Sequence, residues 1–462
     1  MNKDLFDGFK DIKADKYLVT KTKRKMLEPN KTKNTFLVKK LSYAIISVIA
    51  FAVALSVLFI VIPLSSNSIL KAKAQDLMQG ISARNVDVTN AVTSDFIEST
   101  QNFSIELFKN SVKKGENTLV SPTSVCFALG MASNGANGET LSAFKNVLGK
   151  YGMTLDELNK AYKAYSDELT QKRGNTVLTI SNSIWYQTDF TAKASFLQTN
   201  ADYFGAGART INFGDKTATD VINNWVKKNT NNKIEKITDK IDPNDVMMLI
   251  NALSFDAKWQ MPFGTTMKAS EQDFYLENGS IQKTTFMNLD ERVDYINGQN
   301  ESAVLLPYDD GRFAFLCILP NEGIKLSDYI KSLNEKTIPD LISIKKKTDI
   351  PVILPEFKTT FDVDLKDILK NIGLGIAFEE KKADFSNMGK DSGDLYISSV
   401  KHKTFLKVDE LGTSAGAVTS VELQKSAISF ERLVFNRPFV YAVVDTNTNL
   451  PLFIGAMENP QD

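Results

Sequence analysis

From Leu41 to Leu64 the chain reads LSYAIISVIAFAVALSVLFIVIPL, 24 residues without a charge. At about 1.5 Å per residue, such a run spans the roughly 30 Å hydrocarbon core of a bilayer with a little to spare for tilt. A buried core helix rarely stays uncharged for so long. A removable signal peptide is the other reading, and Ala72-Lys73-Ala74 offers a small-residue cleavage pattern. However, the apolar run is too long for that, forty residues precede it, and a lysine sits inside the site. The pattern predicts an uncleaved transmembrane helix.

Charge sets its direction. Eight Lys/Arg lie within the twenty residues before the run and three (Lys71, Lys73, Arg84) within the twenty after it. The positive-inside rule puts the N-terminus in the cytoplasm and residues 65–462 outside. Residues 1–40 carry a net charge of +7 and read as a basic cytoplasmic tail; residues 65–90 read as a polar tether. The remaining charge, −7, makes the main body mildly acidic, which argues against a nucleic-acid partner. The Lys/Asn-rich style and near-absence of cysteine fit a bacterial surface protein.

The body, residues 91–462, shows helical spacing early and strand alternation late. Helices are predicted over Asp95–Lys113, Ser121–Met131, Leu155–Thr170 and Ala218–Asn229. Strands are predicted over Val177–Tyr186, Val246–Phe255, Ser302–Pro307, Arg312–Leu319, Asp349–Leu354, Thr404–Val408, Phe439–Asp445 and Leu452–Met457. This is an α+β domain with large antiparallel sheets. Cys126 and Cys317 sit in apolar runs and read as small buried hydrophobes, with a bond between them left open. There is no P-loop, G-x-G-x-x-G, H-E-x-x-H or paired-cysteine motif, and no metal or cofactor is expected.

Several stretches together resemble the serpin family, the suicide inhibitors of serine and cysteine proteases. Asn117-Thr-Leu-Val-Ser-Pro-Thr-Ser124 with Gly135-Ala-Asn-Gly138 is similar to its N-terminal signature. Leu178–Trp185, Val221–Val226 and Leu249-Ile-Asn-Ala-Leu-Ser-Phe-Asp-Ala-Lys-Trp259 resemble its middle. Leu354-Pro355, His402-Lys403, Glu410-Leu-Gly-Thr413, Phe435-Asn-Arg-Pro-Phe439 and Phe453-Ile-Gly455 resemble its last part. The resemblance covers about residues 95–460. It implies a serpin fold of three β-sheets and eight or nine helices, with an exposed reactive loop strained outside the main sheet. A protease that cuts the loop is trapped as an acyl-enzyme when the loop inserts as a new strand. It also implies a monomer whose partner is a serine protease, or a cysteine protease.

By that resemblance the loop runs from Glu410 to Phe435. Its first half must enter a packed sheet, where charge or proline would block it. Gly412 can act as a pivot, and Thr413, Ser414, Ala415, Gly416, Ala417 and Val418 are small or β-branched and uncharged. These features favour an inhibitor over a non-inhibitory carrier, chaperone or adhesin. The cleaved bond follows Lys425, Ser426 or Ala427, according to the count used. Lys425 would invite trypsin-like proteases, Ser426 or Ala427 elastase- or subtilisin-like ones. Motif matching further implies a polar latch of Ser121, Ser124, Asn251 and His402 where the main sheet parts, with Trp259 near the point of insertion.

Gly412-Thr-Ser414-Ala-Gly416 also matches the G-x-S-x-G pattern of a hydrolase elbow. The β-branched run that follows is not a helix, and the single histidine precedes Ser414 by twelve residues. An enzyme is therefore the disfavoured reading.

Overall fold

The computed structural model describes residues 73–264, 269–389, 395–413 and 432–461. The expected tail (1–40), transmembrane helix (41–64) and first part of the tether lie outside the described residues. Among the described residues, no helix is long and apolar enough to cross a membrane.

The described body contains three sheets, of seven, seven and four strands, and nine α-helices. The predicted helices are close to those found. α1 (Ser94–Ser111) starts where Thr93 Oγ1 accepts the Phe96 N–H, and its buried face carries Phe96, Phe103, Leu107 and Phe108. α2 (Pro122–Ser133) begins with proline in its first turn, and all twelve of its residues are buried. It has no polar face because it runs under the main sheet. α3 (Gly138–Leu148) was missed by spacing. α4 (Leu155–Leu169) opens with a capping box in which Thr154 and Glu157 exchange hydrogen bonds. α5 (Ala194–Phe204) was also missed, while α6 (Ala218–Asn229) has the predicted bounds.

The main sheet is built from β1 (Gln75–Asp76), β2 (Val177–Tyr186), β3 (Gly207–Thr210), β4 (Met247–Lys258), β5 (Phe357–Asp364), β6 (Ser399–Asp409) and β7 (Gly412–Thr413). Their order across the sheet is β1-β3-β2-β4-β7-β6-β5. β4 is buried along nearly its whole length, since α2 covers one face. On the other face Ile222 and Val226 of α6 pack with Trp185, Ile250 and Ala252. Each such aliphatic side chain contributes about 1.5–3 kcal/mol by leaving water. β6 is six residues longer than predicted, because Lys401 and Lys403 on its outer face mask the buried Val400 and His402.

The tether expected over 65–90 is, from residue 75, seated on the body. Gln75 and Asp76 pair with Thr210 and Arg209 at the sheet edge. Arg84 donates its backbone N–H and its guanidinium to the buried Asp202 carboxylate at 2.5–3.0 Å. The Arg84 hydrogen bond holds that carboxyl below its ordinary range. Composition missed this docking because main-chain pairing, the ion pairs Arg84–Asp202 and Arg209–Asp76 and three scattered apolar contacts (Leu77, Met78, Ile81) make it, with no sustained apolar period.

Behind the main sheet, Cys126 and Cys317 are both buried and free. Arg312 holds the fully buried Asp445 with two hydrogen bonds of 2.9 Å and reaches Glu168 Oε2 at 3.1 Å.

Candidate functional site

The centre of the main sheet is where the sequence-derived residues converge. Along its lower part β4 and β6 pair directly and in parallel, Met248–Leu253 against Ser399–Thr404. Above that they part, and β7 lies between them. Gly412 and Thr413 pair antiparallel with Asp409 and Val408 on one side and with Lys258 and Ala257 on the other.

Each hinge residue has a local reason to be there. Asp409 ends β6 and turns the chain: its Oδ1 accepts the N–H groups of Leu411 and Gly412 at 3.0 and 3.2 Å, and Lys407 pairs with its Oδ2. Glu410 gives its carbonyl to the Phe263 N–H at 2.9 Å, and Leu411 gives its own to Trp259. Gly412 was read as a pivot. In the structure its backbone is laddered, and a Cβ there would run into the Ala257 carbonyl. What this position demands is the absence of a side chain. Thr413 is fully buried, and its hydroxyl meets that of Tyr308 at 2.6 Å.

Trp259 lies beside the Gly412–Thr413 pair. Its indole donates to the Asp409 carbonyl at 2.8 Å and stacks on Tyr308 with ring centroids 4.8 Å apart. Asp409 and Tyr308 were not identified from the sequence. Both are common residue types whose partners come from distant segments.

The second cluster lies lower, beneath the β4–β6 pairing. The structure brings Ser121, Ser124, Asn251 and His402 together, all fully buried. His402 Nε2 accepts the Ser121 backbone N–H at 3.1 Å, so its proton sits on Nδ1 and is donated to Asn251 Oδ1 at 2.6 Å. Asn251 Nδ2 donates to Ser124 Oγ and, at 2.6 Å, to Asn182 Oδ1. Ser121 therefore contributes its backbone, while its hydroxyl is buried without a partner. Asn182 is the member that sequence reading missed. Burial pushes the His402 pKa down to about 3, so the ring is neutral.

This removes the hydrolase reading. Both nitrogens of the sole histidine are engaged, and Gly412 lies in a strand between strands, not at an elbow before a helix. Ser414 to Val418 and Lys425 to Ala427 lie outside the described residues.

The serpin family profile, described as "Serpin (serine protease inhibitor)", matches residues 98–460. Human plasma serine protease inhibitor is 29% identical over 374 residues, covering 78% of this chain and 89% of that protein. Human neuroserpin is 26% identical, covering 79% and 92%. The crystal structure of tengpin, a thermophilic serpin, in its native state is 43% identical with a TM-score of 0.77. It covers 84% of this chain and all of that one. The same serpin in its latent state gives a TM-score of 0.69. The chain belongs to the serpin family. Serpins are typically protease inhibitors, and the protein is not an enzyme.

Proposed function

We propose that this serpin is inhibitory: it traps a serine or cysteine protease as an acyl-enzyme by inserting its reactive loop between β4 and β6. One observation carries the reading. Gly412 and Thr413 already occupy the top of that slot, paired on both sides, and the strands below them meet in a parallel ladder above the polar cluster. The small, uncharged residues Ser414 to Val418 suit continued insertion. The latch role belongs to His402, Asn251, Ser124 and the Ser121 backbone, whose hydrogen bonds would be exchanged when the strands part. The cleaved bond follows Lys425, Ser426 or Ala427, with trypsin-like targets for the first and elastase- or subtilisin-like ones for the others.

The reading extends to location. The uncharged run 41–64 and the excess of Lys/Arg before it support a single-pass anchor, N-terminus inside and inhibitor outside, on a bacterial cell. Recovery of the chain in the soluble fraction after cell lysis would count against the anchor.

The test of inhibition is to mix the protein with trypsin, an elastase and a subtilisin separately. An SDS-resistant band near the summed masses establishes trapping, and the mass of the released C-terminal peptide identifies the bond. Cleavage without a complex in all three, with no rise in melting temperature after the cut, overturns the inhibitory mechanism.

A further inference from the structure

Beside β2 the main sheet has a gap in its edge. β3 begins opposite Ser183, so among the described residues β2 has no strand partner on that side from Val177 to Asn182. A cavity of about 340 Å³ opens against this bare edge. Phe127 and Phe204 give it an apolar wall, and Asn182, Arg209 and Trp225 give it a polar one.

The polar wall is unbalanced. Asn182 Oδ1 is taken by Asn251, which leaves the Nδ2 donor free. Arg209 is already occupied: its Nη2 holds Asp76 at 2.9 Å and its guanidinium lies over the Trp185 and Trp225 rings. Among the described residues the Trp225 indole N–H also meets no protein acceptor. The nearby hydroxyls of Thr170 and Ser181 already donate to backbone carbonyls. What remains is a set of donors in want of an acceptor. Charge narrows the class. The ionised side chains lining the cavity are Asp76 and Arg209, which pair with each other, so an incoming carboxylate would meet Asp76 with no spare cation. An uncharged carbonyl fits. The bare edge of β2 adds main-chain groups that pair with an amide.

We propose that this cavity binds a small uncharged amide bearing one apolar side chain, the chemistry of a blocked amino acid or a short peptide. Its carbonyl takes the free Asn182 Nδ2 donor, and its side chain lies against Phe127 and Phe204. The site shares Asn182 with the cluster under the sheet, where Asn251 joins it to His402. A bound amide fixes Asn182, so it also raises the melting temperature of the native state.

The test is a titration of the full chain with N-acetyl-L-phenylalaninamide, followed by tryptophan fluorescence. The chain has three tryptophans, and two of them, Trp225 and its edge-on neighbour Trp185, report on this cavity. A saturable change with a Kd on the order of 1 mM is expected, with a rise in melting temperature. N-acetyl-L-phenylalanine, the carboxylate, binds at least about tenfold more weakly. Asn182→Asp, which turns the free donor into an acceptor, and Ser166→Phe, which fills the space from α4, each abolish the signal. No saturation up to about 50 mM amide overturns the proposal. So does equal binding of amide and carboxylate, a comparison that stands on the unaltered chain even if both variants misfold.

Discussion

The Tyr308 hydroxyl lies 2.6 Å from that of Thr413, and this contact ties the residues that follow β6 to the interior. Both residues are fully buried. The hinge is thus seated by a side-chain hydrogen bond as well as by its ladder.

Tyr308→Phe strands the Thr413 hydroxyl in the core. The native state should lose about 1–2 kcal/mol, and amide exchange at Gly412 and Thr413 should quicken. Hydrogen exchange read by mass spectrometry checks this. Unchanged exchange would mean that the ladder alone seats the hinge.

Gly412→Val places a side chain against the Ala257 carbonyl and unseats the hinge pair. If the protein traps proteases, slower insertion lets more inhibitor be cut and released. Each ~1.4 kcal/mol added to the insertion barrier shifts that race about tenfold. The ratio of cleaved inhibitor to complex on a gel is the readout. Leu411→Ala, at a half-exposed neighbour, should leave the ratio unaltered.

His402 gives a pH signature. Its folded pKa is about 3 against an ordinary value of 6.5, so as pH falls the unfolded chain takes up the proton first. The stability linked to this group is whole above about pH 6.5 and drains away between there and pH 3. The rate is roughly 1 kcal/mol per pH unit. Urea unfolding between pH 7 and 5 measures it. In His402→Gln the loss between pH 6.5 and 5 should flatten, since the chain has no other histidine.

Arg312→Met leaves Asp445 buried and unpaired, at a cost of about 3–5 kcal/mol. Adding Asp445→Leu should recover most of that loss. Thermal melts of the single and double variants decide it. A double variant no more stable than the single one would mean that Asp445 is held chiefly by its other contacts, such as Thr448.

Much of this was legible in the sequence, for reasons that differ by residue. α6 and β2 were predicted at their observed bounds because each buries a periodic apolar set. His402, Asn251 and Ser124 were singled out by motif, and the structure brings them into one hydrogen-bonded cluster, while Trp259 lies beside Gly412 and Thr413. Asn182 was missed since an asparagine within a strand pattern gives no periodic signal, and its partner lies 69 residues away. Asp409 and Tyr308 escaped for the same reason. The docked residues 75–84 escaped because two polar residues carry the pairing. The short helices Leu326–Ser332 and Thr337–Ser343 offer fewer than two full periods of pattern.

The direct pairing of β4 with β6 has a consequence for the direction in which this sheet can change. It is a parallel seam of six register pairs, 248–253 against 399–404, lying below a two-residue wedge that is antiparallel to both neighbours. Every residue that followed Thr413 downward would exchange one parallel pairing for two antiparallel ones, the slightly stronger kind. The seam behaves like a half-closed zip with its slider already threaded at Gly412. Closing it adds a rung on each side at every step, and reopening it would have to undo both.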